Sequence, residues 1–348
     1  MRACVIRAVG GLDQVEVADV PAPLGGISLG AREVRVRVRA AALNRLDLFV
    51  IQGLPVDYHF PHVLGSDGAG VVDAVGPEVT AVRPGDAVMI NPGVACHGCA
   101  CCAAGEHSLC PQYQVLGEHR PGTMAEYVVV PETNVAPIPP LDPPLSWAEA
   151  AAFSLVTLTA WRMVVTRARV QTGEWVLVWG IGGGVSLTAL RIAKLLGARV
   201  IATSSSAAKL EQARQLAADV TLNHAAQHIT AQVRALTEGR GVDVVVENAG
   251  AATWEQSLKC LKRGGRLVTC GATTGPIVTL DLRRLFWHQH AILGSTLGNA
   301  AEYRDALRAL AAGRLRPLVD RVYPLDDARP ALERLATGQQ LGKVVVEI

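Results

Sequence analysis

A glycine-rich turn constrains the fold more than any other feature of this sequence. It joins a predicted buried strand, Trp175–Trp179, to a predicted helix, Val185–Leu196, and its glycines are Gly180, Gly182, Gly183 and Gly184. A strand that turns tightly through glycines into a helix is typical of sheets built from alternating strands and helices. The turn therefore predicts an α/β chain with a parallel, doubly wound sheet.

The residues that follow the turn continue this alternation. Further strands and helices are predicted at Arg199–Thr203, Ala207–Leu216, Val220, Val242–Val246, Trp254–Leu261, Arg266–Thr269 and Ala291–Leu297. Helical connections favour parallel pairing of the strands, because a parallel pair needs a crossover of a dozen or more residues. We therefore interpret residues 154–297 as one doubly wound domain.

The residues on either side of this domain show other patterns. Up to about residue 140, short alternating strands such as Glu33–Ala40 and Ala125–Val130 are separated by Gly and Pro turns. The apolar density of Trp147–Thr166 predicts a long helix. The end of the chain, Gly342–Ile348, predicts a strand that returns to the first lobe. We expect a mostly β domain at 1–153 and a return to it at 298–348.

Composition excludes several classes of partner. The chain has 348 residues, half of them hydrophobic, with 33 basic residues against 31 acidic ones. Neither charge forms a long run, so we expect neither nucleic acid nor a membrane surface as a partner. The N-terminus alternates polar and apolar residues, unlike a secretory signal, and no window approaches the roughly 20 apolar residues of a membrane helix. A cytoplasmic protein with a small-molecule substrate is expected.

The glycine turn also predicts a ligand. Glycines let the backbone approach a pyrophosphate, which then lies against the amide groups where the helix begins, here at Gly184 and Val185. The alternative is a tight turn that binds nothing. The strands before and after the helix favour a dinucleotide.

The residues after the predicted strand Arg199–Thr203, the second strand of this domain, indicate which dinucleotide is bound. An acid in this place usually binds the ribose of NAD, but the chain has Ser204, Ser205 and Ser206, followed by Lys209. An acid would repel a 2′-phosphate, whereas hydroxyls and a lysine can bind one. The sequence favours NADP(H). NAD(H) is the alternative, in which the serines only cap the helix that begins near Ala207.

Four cysteines follow a metal-binding pattern. Cys96, Cys99, Cys102 and Cys110 are spaced as Cys-x2-Cys-x2-Cys-x7-Cys, which lets a short loop place four thiolates around one tetrahedral zinc. Because sulfur fills all four positions, none remains for a substrate, and one structural zinc is expected. Cys101 is out of register. The alternative is a cluster of free thiols.

Several motifs together resemble the medium-chain dehydrogenase/reductase superfamily over nearly the whole chain. They are the cysteine motif, the glycine turn, ALNRLDLFVIQG at 42–53, VLGSDGAGVV at 63–72, GTMAEYVVVP at 122–131 and LGKVVVEI at 341–348. The resemblance implies a GroES-like catalytic domain that is interrupted late by a Rossmann nucleotide-binding domain, with the active site in the cleft between them.

The resemblance also indicates where a catalytic zinc would bind. Zinc alcohol dehydrogenases of this superfamily use a Cys, a His and a further Cys or acid. The matching positions here are Asn44, Ser66 and the stretch 151–160, which contains no Cys, His, Asp or Glu. An amide and a hydroxyl are poor zinc ligands. We therefore expect no catalytic zinc. The alternative is a relocated site formed from His59, His62, Asp67 and His119.

Asn44 and Asp47 instead resemble the quinone oxidoreductase branch, whose members reduce quinones or enones with NADPH and without catalytic zinc. The predicted function is NAD(P)H-dependent reduction of a quinone, enone or similar activated carbonyl compound by hydride transfer. Asn44 is expected to orient the nicotinamide or the substrate, and family position puts Thr157 near the nicotinamide. Tyr58 is a candidate proton donor, and Asp47 is either catalytic or an acceptor that fixes its loop.

Two further functions are left open. One is a zinc-dependent alcohol dehydrogenase with relocated ligands, and the other is a non-catalytic dinucleotide-binding protein. The assembly is predicted from Ala291–Leu297, the expected last strand of the nucleotide-binding sheet. An edge strand has unpaired backbone groups that must be covered, so we expect a homodimer, or a dimer of dimers, in which this strand pairs with its twin.

Overall fold

A computed structural model of the protein describes residues 1–23 and 28–348. Its strands are β1 (Arg2–Ile6), β2 (Val15–Asp19), β3 (Glu33–Ala42), β4 (His62–Val63), β5 (Asp67–Val75), β6 (Ala87–Ile90), β7 (Gly93–Val94), β8 (Gln114–Val115), β9 (Tyr127–Pro131), β10 (Val135–Pro137), β11 (Trp175–Val178), β12 (Arg199–Ser204), β13 (Val220–Asn223), β14 (Val242–Glu247), β15 (Leu261–Thr269), β16 (Ala291–Gly294), β17 (Val319–Pro324) and β18 (Lys343–Glu347).

The α-helices of the described residues are α1 (Arg45–Gln52), α2 (Ala100–Ala103), α3 (Trp147–Ala151), α4 (Ser154–Trp161), α5 (Gly184–Leu195), α6 (Ala207–Gln215), α7 (Ile229–Leu236), α8 (Trp254–Cys260), α9 (Leu282–His288), α10 (Ala300–Ala311) and α11 (Ala328–Ala336). The chain divides into two compact units. Unit 1 comprises Met1–Leu155 and Asn299–Ile348, and unit 2 comprises Val156–Gly298. None of the helices in the described ranges has the length and apolar character needed to cross a membrane.

Unit 1 is built around a sheet in the order β10-β6-β5-β3-β18-β17, with β9 also paired to β3. The last strand of the chain, β18, pairs antiparallel to β3, with Val345 opposite Ala42, and parallel to β17. Alternate residues of β3 are buried against apolar residues of β5, β6 and β9, which explains the alternating pattern of Glu33–Ala40. The predicted return of the C-terminus to the first lobe is thus seen as a strand inside the sheet of unit 1.

Unit 2 contains a six-stranded sheet in the order β13-β12-β11-β14-β15-β16, in which every neighbouring pair is parallel. The central strands β11 and β14 carry apolar runs, 175–178 and 244–246, because helices cover both faces of such a sheet. The direction of the strand order reverses between β11 and β14, and ligands of doubly wound sheets bind at this point, outside the carboxyl ends of the strands. The predicted α/β fold class is confirmed.

Three predicted elements differ from the structure. The helix predicted at Trp147–Thr166 is divided into α3, α4 and a π-helical segment, Arg162–Arg167. A tertiary contact explains the break, because the Asp67 carboxylate accepts a hydrogen bond from Leu155 N at 2.7 Å and so caps a new helix start. The last strand ends at Gly294, since Leu297 has a φ of 41° that no strand continues through. Strand β11 ends at Val178.

Candidate functional site

The four cysteines of the predicted zinc site converge in unit 1. Their Sγ atoms all lie within 4.8 Å of one another, with Cys99 to Cys102 at 3.5 Å, Cys96 to Cys110 at 3.4 Å and Cys96 to Cys102 at 4.0 Å. A tetrahedron with zinc–sulfur bonds of 2.3 Å has sulfur atoms about 3.8 Å apart. The cysteines therefore fit a single structural zinc, and Cys101 is outside the group.

The thiols of this group do not share one environment. The amide of Gly98 and neighbouring thiols lower the pKa of Cys96 to about 6. Burial instead raises the pKa of Cys102 to about 12. Zinc binds thiolates, so the metal would have to displace the proton of Cys102 on binding.

A buried polar network surrounds Asn44, which lies just before α1. Asn44 Nδ2 donates to Asp67 Oδ2 at 3.0 Å and to the carbonyl of Ala42 at 3.2 Å. Lys343 Nζ donates to Asn44 Oδ1 at 2.5 Å and to Asp67 Oδ2 at 2.9 Å. Both polar ends of the Asn44 amide are thus bound within the protein. Asn44 is therefore a member of a buried network, a setting that its predicted contact with substrate or nicotinamide did not include.

Asp47 fixes the start of α1. Its carboxylate accepts hydrogen bonds from Asn44 N at 2.6 Å and Gly65 N at 3.1 Å. Burial raises the pKa of Asp47 to about 6, against the lowering effects of these amides and of Lys343. The Asp47 carboxylate thus binds backbone amides on both sides and holds the two loops together, as the structural alternative for this residue predicts.

Lys343 and Asp67 are the members of this network that sequence reasoning did not assign to it. Asp67 was considered only as a relocated metal ligand, whereas it binds Lys343, Asn44 and Leu155 N. A signal existed in the sequence, because Lys343 directly precedes the apolar run 344–346 of the terminal strand, and the structure buries it. A charged residue in that context usually has a buried partner of opposite charge.

Ser66 is the residue at the position of the family's zinc-binding histidine. It is fully buried, and its Oγ has no hydrogen-bond partner within the described part of the chain. Leaving a buried hydroxyl unsatisfied costs about 1–3 kcal/mol, so this hydroxyl has hydrogen-bonding capacity left for a ligand or a water molecule.

The other residues considered for a relocated metal have different surroundings. His62 Nε2 lies 3.0 Å from the carbonyl of Gly117, and His119 Nδ1 accepts from Val115 N at 3.3 Å. His59 is exposed. Within residues 1–23 and 28–348, the four cysteines are the one group of three or more His, Cys, Asp or Glu side chains arranged to hold a metal ion.

Tyr58 is half-buried in unit 1. Its hydroxyl accepts a hydrogen bond from Leu54 N at 3.4 Å, and its ring packs edge-on against His62 with 5.1 Å between centroids. Burial raises the pKa of Tyr58. The phenol therefore stays protonated at neutral pH and keeps its own proton to donate.

The glycine turn of unit 2 has an open side. Gly180 N donates to Thr203 Oγ1 at 3.3 Å, which ties the turn to the end of β12. A Cβ added at Gly180 or Gly183 would meet no described atom within 4 Å. Ser186 Oγ donates to the carbonyl of Trp179, so the small residue predicted to allow close helix packing also anchors the turn. The turn and the start of α5 fit a pyrophosphate.

Lys209 lies directly over this turn. A Cβ added at Gly182 would be 3.0 Å from Lys209 Nζ, so the ammonium is next to the place where phosphate would bind. Ser206 caps α6 by accepting from Lys209 N, as the capping alternative predicts, and buried Ser204 accepts from Ser206 N at 3.1 Å. Of the three serines only Ser205 is exposed. Thr157 is buried in α4.

His224 is a residue at this site that sequence reasoning missed. Its Nδ1 lies 3.3 Å from Thr203 Oγ1, the atom that also accepts from Gly180 N. Burial lowers the pKa of His224, so the ring is neutral at pH 7. The signal was its position, because His224 directly follows β13 and the carboxyl ends of parallel strands meet at one edge of the sheet.

Comparisons with known proteins agree with this geometry. A family model described as alcohol dehydrogenase GroES-like domain matches residues 30–140, and one described as zinc-binding dehydrogenase matches residues 184–312. A crystal structure of an NAD-dependent alcohol dehydrogenase is 48% identical, with a TM-score of 0.94 and full coverage of both chains.

Two curated relatives carry different names. A crotonyl-CoA reductase of Streptomyces avermitilis is 30% identical over 95% of this chain and 81% of its own. A quinone oxidoreductase of Pseudomonas aeruginosa is 31% identical over 91% of each chain. Relatives of comparable identity thus differ in the substrates that their names give.

Proposed function

Because the chain belongs to the medium-chain dehydrogenase/reductase superfamily and is an oxidoreductase that uses a nicotinamide cofactor, we propose that it reduces an activated carbon–carbon double bond or a quinone with NADPH, without a catalytic zinc. The observation that carries the proposal is the buried network in which Lys343 binds Asn44 and Asp67.

Asn44, a member of this network, and Ser66 are at positions where the resemblance would put ligands of a catalytic zinc. The amide of Asn44 is bound at both ends, and the charge of Asp67 is offset by the Lys343 ammonium at 2.9 Å. Ser66 offers only a hydroxyl, and zinc prefers imidazole, thiolate or carboxylate. An alcohol loses a proton as its hydride leaves, and zinc normally assists that loss. Reduction of an activated alkene does not need this assistance.

The residues around the glycine turn support NADPH as the cofactor. Bound NADPH supplies a hydride to the substrate. Lys209 and the exposed Ser205 offer a cation and a hydroxyl to a 2′-phosphate, and the end of β12 is Ser204 in place of an acid. His224 adds a second polar ring nitrogen to this site, since its Nδ1 lies 3.3 Å from Thr203 Oγ1 and Nε2 is the other hydrogen-bonding atom of the ring.

Two hydroxyl groups of unit 1 are suited to the rest of the reaction. Negative charge develops on the substrate oxygen as hydride adds to the β-carbon, and a preorganised donor in a dry site stabilises it. Ser66 is our candidate for that donor, since its buried hydroxyl lacks a partner in the described chain. Tyr58, which accepts from Leu54 N and retains its proton, is the candidate that protonates the product.

A substrate panel tests the proposal. We expect purified enzyme to oxidise NADPH with an enone or a quinone, to leave benzyl alcohol and ethanol unoxidised with NADP or NAD, and to contain one zinc per chain. Efficient alcohol oxidation that chelation abolishes without unfolding the protein would contradict it and establish the zinc alcohol dehydrogenase alternative.

A further inference from the structure

A buried carboxylate, Glu247, ends β14 at the edge of the sheet where the strand order reverses. Its Oε1 accepts hydrogen bonds from Ala249 N at 2.7 Å and Gly250 N at 3.0 Å. Thr253 Oγ1 lies 3.0 and 2.9 Å from its two oxygens, and Ser257 Oγ donates to Oε2 at 2.6 Å. These donors are amides and hydroxyls, and they bend the residues after β14 around one carboxylate.

The loop that Glu247 organises, residues 248–253, is joined to the loop after β15. Thr273 Oγ1 donates to the carbonyl of Asn248 at 2.9 Å, and Thr274 donates to the carbonyl of Ala249 through both its amide and its hydroxyl. Gly250 approaches this second loop so closely that an added Cβ would be 2.5 Å from the carbonyl oxygen of Gly275. The two loops therefore form one hydrogen-bonded layer.

The same layer is connected to the glycine turn. Asn248 Nδ2 donates to Ser186 Oγ at 2.9 Å, and Ser186 Oγ donates to the carbonyl of Trp179, the residue before the turn. Three loops at the carboxyl edge of the sheet, those after β11, β14 and β15, are thus held in a single arrangement.

We propose that Glu247 is a positioning residue for the nicotinamide half of the cofactor. A doubly wound sheet consists of two mononucleotide-binding halves. The strands β11, β12 and β13 form the half that carries the glycine turn and Lys209, and β14, β15 and β16 form the other. Glu247 orders the loops of that second half. The inference rests on the nicotinamide cofactor of the family and is independent of the electron acceptor proposed above.

Glu247→Gln and Asp243→Asn make a matched pair of variants. Glutamine keeps the shape of Glu247 and replaces one acceptor oxygen by an NH2 group that faces other donors. Asp243 lies at the opposite end of the same strand, where its carboxylate accepts from Trp175 N at 2.8 Å and pairs with Lys262. Both changes remove one buried negative charge from β14, but only the first is at the cofactor edge.

The measurement separates the two halves of the cofactor. Calorimetry gives the dissociation constants of NADPH and NADH and, for the adenosine half alone, of 2′,5′-ADP and ADP. In Glu247→Gln we expect the dinucleotides to bind about tenfold more weakly and the fragments to change less than about twofold. Hydrogen exchange should accelerate at Ala249 and Gly250. Asp243→Asn should leave all four constants unchanged.

The proposal would be overturned if folded Glu247→Gln bound dinucleotides and fragments equally more weakly, or if it bound both as tightly as the wild type. If this variant does not fold, Thr253→Val removes the hydroxyl that bonds both carboxylate oxygens, and Thr253→Ser restores it. We then expect selective loss of dinucleotide binding in Thr253→Val and its recovery in Thr253→Ser, and the absence of that difference would overturn the role of Glu247. Failure of the enzyme to reduce enones or quinones would leave these binding results intact.

Discussion

The hydroxyl of Ser66 distinguishes a reaction assisted by a hydrogen bond from one assisted by a metal. If it stabilises the substrate oxygen, Ser66→Ala should lower kcat about 100-fold, the usual effect of removing one such donor, with unchanged cofactor affinity. Ser66→Thr keeps the hydroxyl and should retain more activity than Ala despite its extra methyl group. Steady-state kinetics and cofactor titration check this, and full turnover by Ser66→Ala would remove Ser66 from the mechanism.

The preference for NADPH depends on single side chains at the glycine turn. Lys209→Ala should weaken NADPH binding about tenfold or more and leave NADH binding nearly unchanged, because only NADPH has a 2′-phosphate for the ammonium to bind. Lys194→Ala is the control, since that lysine pairs with Asp219 and its loss changes the net charge equally. Parallel titrations of both cofactors measure the preference. Equal losses of NADPH and NADH would indicate a pyrophosphate contact instead.

Residue roles were the hardest feature to predict from sequence. The cysteine spacing and the glycine turn are local, so their geometry followed from neighbouring residues. The network of Asn44 depends on Lys343, which is 299 positions away in the chain, and no local pattern connects them. The sequence therefore identified Asn44 as a position of interest but not its contacts with Asp67 and Lys343.

The zinc-binding loop should respond to metal removal as a single element. Structural zinc contributes folding free energy, so chelation should increase hydrogen exchange across residues 92–111 and lower the melting temperature. Cys99→Ser should have the same effect and abolish the single zinc. Cys101→Ser should leave both zinc content and stability unchanged, because Cys101 is outside the group of four. Zinc retained by Cys99→Ser would contradict the assigned ligand set.

Strand β16 and helix α9 are the elements through which we propose that two copies of the chain associate. Strand β16 is the outer strand of the six-stranded sheet, and α9 precedes it with Phe286 and Trp287 66% and 65% exposed. A second copy that pairs along β16 would cover an edge and apolar side chains together. Light scattering should report a dimer or a dimer of dimers that Trp287→Glu weakens. Leu195→Glu is the control and should not weaken it, because Leu195 is an exposed apolar residue at the end of α5. A wild-type monomer at micromolar concentration would reject the dimer.

Helices and strands could be predicted where the apolar pattern of their own segment determines them. The strands and helices of unit 2 follow apolar runs and caps that are contained within each segment, and the parallel sheet appeared as expected. The single helix predicted at Trp147–Thr166 is interrupted, because the Asp67 carboxylate accepts a hydrogen bond from Leu155 N. A tertiary cap of this kind starts a new helix inside a sequence whose apolar pattern is continuous.

On the scale of the whole molecule, segments that are neighbours in the sheet of unit 1 come from opposite ends of the chain. Unit 2 is one continuous segment, Val156–Gly298, whereas unit 1 is completed by residues on both sides of it. The strand that lies between β3 and β17, β18, ends one residue before the C-terminus.

This placement of β18 affects how the protein is made. During synthesis the ribosome releases all of unit 2 before it releases β18, so the inserted unit can fold first and unit 1 must wait until β18 has emerged. Until then β3 has an open edge, and the carboxylate of Asp67 lacks the ammonium of Lys343. A chain that stops before β18 would therefore have a complete nucleotide-binding unit and an unfinished unit 1, a species that cellular proteases can recognise and remove.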